Sequence, residues 1–520
     1  MTRYFLAPAL VVGLASAAVA RAETLDFSWP QNVGPLNPHL YSPNQMFAQA
    51  MVYEGLVTYM PDGTVAPALA TGWAVSDDGR TFTFTLREGV RFSDGEPFDA
   101  AAVERNFAAI LGNGARHKWL GLMGALDTVR ATGPMTVEIT TKEPYYPLLQ
   151  ELSLIRPVRF LAPDAFPDSG QTAEGIKAPI GTGPWVLSES RLGEYDVFTR
   201  NETYWGPKPA FDRIVVKVIA DPNTRAIALE TGEIDLIYGV EGQITPDTFQ
   251  RLRDQGFESG TSDPLETMVF ALNTAKGPTA DLAVRKAINH ALNKDAMVTG
   301  IFYGTQTRAD TLFAPSVPYA DIGLTPYGYD PAKARHLLDA AGWVLPEGGT
   351  VRVRDGLPLQ IDLVYEASDA VMKSVAEVAQ ADLAAVGIGV SLLASEETEF
   401  HGRQQSGNFS MIFNNTWGNP YDPHAFVSSM RVPSHADYQA QLGLNEKPAI
   451  DAAIARVLVS TDETLRQAEY DYILRTLHEE AVYVPLTHAT AIGVAGPDVT
   501  GLSFGATSNE IPFGTLRPAK

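Results

Sequence analysis

Nucleophile motifs, paired histidines and phosphate loops are the patterns through which a chain of 520 residues would do chemistry. Gly501-Leu502-Ser503-Phe504-Gly505 has the G-x-S-x-G spacing of a nucleophile elbow. Such an elbow needs an acid and then a histidine later in the chain. The fifteen residues after Gly505 hold Glu510 but no histidine, so the spacing is coincidental. His478-Glu479-Glu480 begins like a zinc-protease helix and lacks the second histidine that would complete it. No G-x-x-x-x-G-K-[ST] occurs, so any ATP hydrolysis tied to this chain belongs to other subunits. There is no cysteine, which excludes disulfides and thiolate metal centres. His424, in Tyr421-Asp422-Pro423-His424, reads as structural. The chain is not predicted to be an enzyme.

The elements that would position a binding site are legible in the periodicities. Thr24–Trp29 reads as a strand, and Thr81–Leu86 alternates cleanly with period two after Asp77-Asp78-Gly79. Asp99 is placed as a helix N-cap, with Phe98 and Val103 at the spacing of a hydrophobic staple. Val103, Phe107 and Ile110 continue the apolar face. Leu359, Ile361 and Leu363 mark a strand, and a helix follows with Val371, Val375, Val378 and Val386 on or near one face. Gly387-Ile388-Gly389 stops it, and Val390–Leu393 resumes as a strand, a unit that favours parallel pairing. A further helix is expected from about Thr464 to Glu480, with Asp462 and Glu463 at its positive end. Strands and helices alternate throughout, which predicts an α/β architecture. No long Pro/Gly linker divides the chain, so crossings between intimately packed domains are expected.

The first residues set the compartment. Arg3 precedes an apolar run from Phe5 to Val19, and Ala20-Arg21-Ala22 offers a signal-peptidase site. Residues 1–22 are therefore expected to be a cleaved signal peptide. The run is too short to span a bilayer, and no later segment reaches the required length. With no cysteine to carry a lipid anchor, a Gram-negative periplasm is the expected location. Loss of Arg3 and Arg21 takes the formal charge from −22 to −24. An acidic surface of this size argues against nucleic-acid or anionic-membrane partners.

Six phrases occur in one order across nearly the whole chain. They run from Asp77-Asp78-Gly79 to Phe92-Ser93-Asp94-Gly95, then Gly181–Trp185 (GTGPW) and Asn201–Trp205. Leu229–Asp235 (LETGEID), Leu282–Lys294 and Tyr329–Trp343 (YDPAKARHLLDAAGW) complete the series. Together they resemble the family-5 extracellular solute-binding proteins, which serve peptide and nickel ABC importers. Asn32–Glu54, Ile176–Trp185 and Trp417–Gln439 are closer to nickel-binding members than to peptide binders. The resemblance implies a two-lobed periplasmic binding protein fold of type II, joined by two crossing segments. One lobe would take residues 23–265 plus 490–520, and the other 266–489. Ligand would be enclosed by a hinge motion.

The resemblance also implies a site. The cargo is expected to be nickel(II) held in a small organic chelate of histidine or polycarboxylate type. His435, in Pro433-Ser434-His435-Ala436-Asp437, matches the direct metal ligand of nickel-binding members. Arg116 and Arg156 match carboxylate-binding arginines, whose planar fork pairs with a carboxylate through two bonds. Trp119, Trp417, Tyr41, Met46 and Tyr421 match an aromatic and thioether lining. Two positions depart from the pattern. Asn509 stands where a threonine is usual, and His488, where a tyrosine is usual, is a candidate extra metal ligand.

Peptide import on the same fold is the nearest alternative. Peptide-binding relatives carry Trp-x-x-Asp, whose carboxylate pairs with the peptide ammonium; here Trp417 is followed by Pro420. A buried ammonium without that partner would carry a heavy desolvation cost. Iron or cobalt chelates and opine metallophores are alternative cargoes. The expected partners are inner-membrane ABC permease subunits with cytoplasmic ATPases, and a chemoreceptor in a sensory role. The chain is expected to be a monomer.

Overall fold

The computed structural model describes residues 23–41, 45–239 and 244–519, so the expected signal segment lies outside the described residues. Among the described residues, no helix is long and apolar enough to cross a membrane.

Two sheets organise the molecule, each with its own apolar core. In the seven-stranded sheet, Thr24–Trp29 lies in the middle and pairs in parallel with Arg213–Val218, with Phe27 opposite Val216. Ile492–Ala495 inserts between Leu236–Gly239 and Glu258–Thr261, antiparallel to each. The six-stranded sheet runs in the order Thr307–Arg308, Tyr483–Ala489, Glu266–Leu272, Met411–Asn415, Gln360–Glu366, Gly389–Ser395. A separate four-stranded antiparallel sheet contains the alternating Thr81–Leu86, whose Phe82, Phe84 and Leu86 are buried.

Local sequence explains several elements. The Asp99 carboxylate accepts from the Ala102 N–H at 2.9 Å and caps the helix Ala100–Gly112. Its staple partners Phe98 and Val103 are buried, as are Phe107 and Ile110. Gln360–Glu366 and Gly389–Ser395 pair in parallel around the helix Ala370–Ala384, the crossover unit expected from the sequence. The buried face of that helix is Val375, Ala376, Ala379 and Leu383; Val386 lies beyond its end, and Val371 and Val378 sit at its margin. Asp462 caps Glu463–Glu479 through the Thr464 and Leu465 N–H groups, a stronger role than a dipole contact alone.

The chain passes between the two sheets twice, and the two passages lie side by side. Glu258–Thr261 in one sheet leads to Glu266–Leu272 in the other, and Tyr483–Ala489 leads back to Ile492–Ala495. Ser262 N–H donates to the Ala491 carbonyl at 2.9 Å, and Leu265 N–H to that of Ala489 at 2.9 Å. Short paired passages of this kind favour rotation of one lobe against the other about a single line.

Candidate ligand cavity

The loop after the strand Met411–Asn415 delivers two aromatic side chains to the junction of the lobes. Asp422 folds back to accept from the Trp417 N–H at 3.2 Å and the Gly418 N–H at 3.0 Å. Gly418 has φ +71°, and a Cβ there would lie 2.9 Å from the Leu265 carbonyl. The turn thus requires glycine. Trp417 leaves this loop packed against both cores, with Tyr421 buried beside it at a ring separation of 6.3 Å. His435 sits at the N-terminal end of the short helix Ala436–Ala440, 5.5 Å from the Trp417 ring. Burial lowers its pKa below the ordinary 6.5, which favours neutral imidazole. Neither ring nitrogen of His435 is hydrogen-bonded among the described residues.

The opposite wall comes from the first lobe. Tyr41, Met46 and Ile155 form a small buried cluster with Trp119 against it. Met46 opens the helix Met46–Val52, whose far end is held by the GTGPW phrase: Gly181 and Gly183 lie against the backbone of Met51 and Val52, where a Cβ would collide. The Trp119 indole N–H donates to the Tyr41 hydroxyl at 2.7 Å. The Arg156 guanidinium lies 4.9 Å from the Tyr41 ring centre and 4.7 Å from that of Trp119, within cation–π range of each. Its Nε reaches the Tyr421 hydroxyl at 3.4 Å, a long contact. Among the described residues no carboxylate lies within 4.0 Å of Arg156.

Met46, Trp119 and Arg156 on one side, and Trp417, Tyr421 and His435 on the other, line one cavity of ≈ 370 Å³, with Asn509 from the chain's end. Three expected residues are placed differently. Tyr41 lies behind the wall and supports it. Arg116 is exposed, donates to the Tyr41 carbonyl at 2.8 Å and stands over that ring at 5.3 Å. His488 is not brought to the cavity: it lies in the strand Tyr483–Ala489, with Nδ1 at 3.0 Å from the Thr267 hydroxyl. Burial pushes its pKa down to about 4. The structure adds His117 behind Tyr41, 76 positions away in sequence, and Asp422, which holds the Trp417 loop through the nearby Trp417 and Gly418 N–H groups.

A larger cavity of ≈ 510 Å³, lined in part by Trp73, Tyr146, Tyr319 and His424, also lies between the lobes. Its ionic neighbour Glu463 is already engaged, accepting from Tyr146 at 2.7 Å and Tyr319 at 2.6 Å. His424 is buried with Nδ1 at 2.6 Å from the Tyr470 hydroxyl, as befits a structural residue. Of these two cavities, the smaller combines a cation without a carboxylate partner and an imidazole without a hydrogen bond among the described residues.

A family profile described as bacterial extracellular solute-binding proteins, family 5 (middle), matches residues 64–438. The chain belongs to that family. It is 54% identical over 502 residues to the nickel-binding periplasmic protein of Escherichia coli K12, covering 96% of each chain. It also superposes on the crystal structure of NikA from Brucella suis in complex with Fe(III)-EDTA. There the TM-score is 0.93 and the identity 63%, covering 95% of this chain and 100% of that one. The periplasmic binding protein DppA from Helicobacter pylori, solved with the peptide STSA, shares the architecture at 25% identity and a TM-score of 0.75, covering 96% of this chain and 98% of its own. The two-lobed α/β fold expected from the sequence is thereby established, and these relatives are binding proteins.

Proposed function

We propose that the chain is the periplasmic binding component of an ABC importer and carries nickel(II) as a small organic chelate. One observation carries this reading: among the described residues, a guanidinium over two aromatic rings with no carboxylate partner shares a cavity with a neutral imidazole whose nitrogens are not hydrogen-bonded. Among the described residues, no group of three or more His, Asp or Glu side chains could hold a metal ion. A lone imidazole leaves most of nickel's coordination sphere to be filled. A chelator would fill it, and its carboxylates would meet Arg156 while its flat faces meet Trp119 and Trp417. His435 would supply the one protein ligand. Asn509 would offer its amide at the rim, and Tyr41, Met46, Tyr421 and Arg116 would shape the wall.

The name of the Escherichia coli relative supports nickel as the metal, and the Fe(III)-EDTA complex of the Brucella suis relative supports a chelated cargo and keeps an iron chelate as the alternative. Residues 1–22 would be removed on export. The lobes would be 23–265 with 490–520, and 266–489, closing on the chelate for delivery to a permease driven by separate ATPases. The chain acts here as a carrier and not a catalyst. Calorimetry with nickel and excess L-histidine tests the reading. His435→Ala is expected to weaken binding at least tenfold, about 1.4 kcal/mol. An unchanged affinity would remove His435 from the site.

A further inference from the structure

Behind the Arg156 wall, one direction of the Tyr41 hydrogen bonds leaves the fewest buried polar groups unpaired. An indole N–H is a donor only, so the 2.7 Å contact from Trp119 makes the Tyr41 oxygen an acceptor. Burial holds the Tyr41 phenol above its ordinary pKa, so it keeps its proton and must donate it elsewhere. His117 Nδ1 lies 3.3 Å from that hydroxyl. The imidazole is fully buried and stacks on the Tyr41 ring at a centroid distance of 5.7 Å and an angle of 27°. Burial, with Arg116 and Arg156 nearby, pushes its pKa down to about 4, so it is neutral at physiological pH. A neutral imidazole with Nδ1 as acceptor carries its hydrogen on Nε2, which is buried without a partner among the described residues; the opposite tautomer would leave both the Tyr41 O–H and the Nε2 lone pair unpaired.

We propose that His117 is a positioning residue of the cavity: it accepts the hydrogen bond from Tyr41, and so leaves the phenol oxygen to fix the Trp119 indole. The chain Trp119→Tyr41→His117 sets the orientation of the two rings over which Arg156 lies. His117 does not line the cavity, and its effect reaches the ligand through Tyr41 and Trp119 alone. The inference deepens the chelate reading above and, for its effect on affinity, rests on it.

The chain can be tested with and without ligand. In protein labelled with 15N-tryptophan, the Trp119 indole resonance is identified by its loss in Trp119→Phe. Tyr41→Phe is expected to move that resonance, and His117→Leu to move it too. His117→Asn, which restores a short acceptor, should leave it near its original position. An unmoved resonance in His117→Leu overturns the proposal even if the protein binds no chelate at all. For affinity, calorimetry with nickel and excess L-histidine should show a loss of about five- to tenfold for His117→Leu, the scale of one hydrogen bond. Asn should recover most of it. A side chain that only fills space would behave in the opposite order, because leucine packs a buried site better than asparagine. The double variant His117→Leu/Tyr41→Phe should bind no more than about twofold worse than the poorer single variant. Multiplicative losses would overturn the coupling. If His117→Leu does not fold, His117→Phe takes its place in each comparison. If wild type binds no chelate while the resonances shift as expected, the chelate reading falls and the positioning role stands.

Discussion

Replacing Arg156 with lysine keeps the charge in the cavity and removes the fork. The guanidinium can give a carboxylate two parallel bonds, and an ammonium at the same place gives one directed bond. A hydrogen bond to a charged group contributes about 1.5–3 kcal/mol. The guanidinium also lies over the Tyr41 and Trp119 rings, at 4.9 and 4.7 Å, and loss of those contacts adds about 0.5–1 kcal/mol. The cavity is open to solvent on one side, so the lower part of the combined range applies. A loss of about 2–3 kcal/mol corresponds to about 30- to 150-fold in Kd. Because Arg156 has no carboxylate partner among the described residues, stability should change by less than about 1 kcal/mol. The assay is titration calorimetry with nickel and excess L-histidine, beside thermal unfolding. Arg403→Lys serves as the control, since Arg403 pairs at 2.8 Å with Glu399 on an exposed helix face. A Kd for Arg156→Lys within threefold of wild type would refute the bidentate argument. So would an equal loss in the control.

Three further outcomes follow from the geometry. Gly418→Ala should lower stability by about 1–3 kcal/mol and weaken chelate binding with it, because both the positive φ and the Leu265 carbonyl oppose a Cβ; unfolding and calorimetry on one preparation check the pairing. Tyr146→Phe removes the 2.7 Å bond to Glu463 across the lobes and should speed chelate release about three- to tenfold, read by stopped-flow tryptophan fluorescence. Glu151 is buried and its pKa is raised by that burial from 4.5 to about 7, with Tyr145 donating to it at 2.7 Å. Folding therefore takes up a proton between those values, so its contribution is present below pH 4.5 and is lost as pH rises through about 7. That loss is roughly 3 kcal/mol, and Glu151→Gln should flatten the fall in melting temperature between about pH 5 and 8. An identical pH profile in the variant would count against it.

Fold and family were legible because the identifying phrases are structural and local. GTGPW needs glycine where Met51 and Val52 press on it. Asn201–Trp205 supplies Tyr204 and Trp205 to Glu54, which also accepts from Thr182; the donors stand at 3.1, 2.8 and 2.8 Å. None of these residues lines the cavity. The cavity itself was legible through resemblance and not through spacing, since its walls come from positions as far apart as Met46 and Asn509. His488 shows the limit: residue type and a place near a lobe crossing make it a candidate ligand, and strand pairing sets its Nδ1 against the Thr267 hydroxyl. His117 escaped notice for the converse reason. It sits between Arg116 and Lys118 in a charged stretch, and only the approach of Tyr41, 76 positions away, gives it a role.

The charge distribution explains why the cavity should select an anionic guest. The chain has 61 acidic and 39 basic side chains, and arginines such as Arg200, Arg308 and Arg403 pair with a carboxylate. Arg156 is placed among aromatic rings instead, where the local dielectric is lower and each interaction with a charge is stronger than at the surface. Tyr41 and Trp119 offset part of its desolvation, but rings do not satisfy guanidinium N–H groups as a carboxylate does. The acidic surface would slow the approach of any anion, so selection cannot rest on long-range steering. On the proposed reading it rests on contact: a guest would bring carboxylates for Arg156 and a metal for His435 at once, and a free ion or a free carboxylate would meet only half of the site.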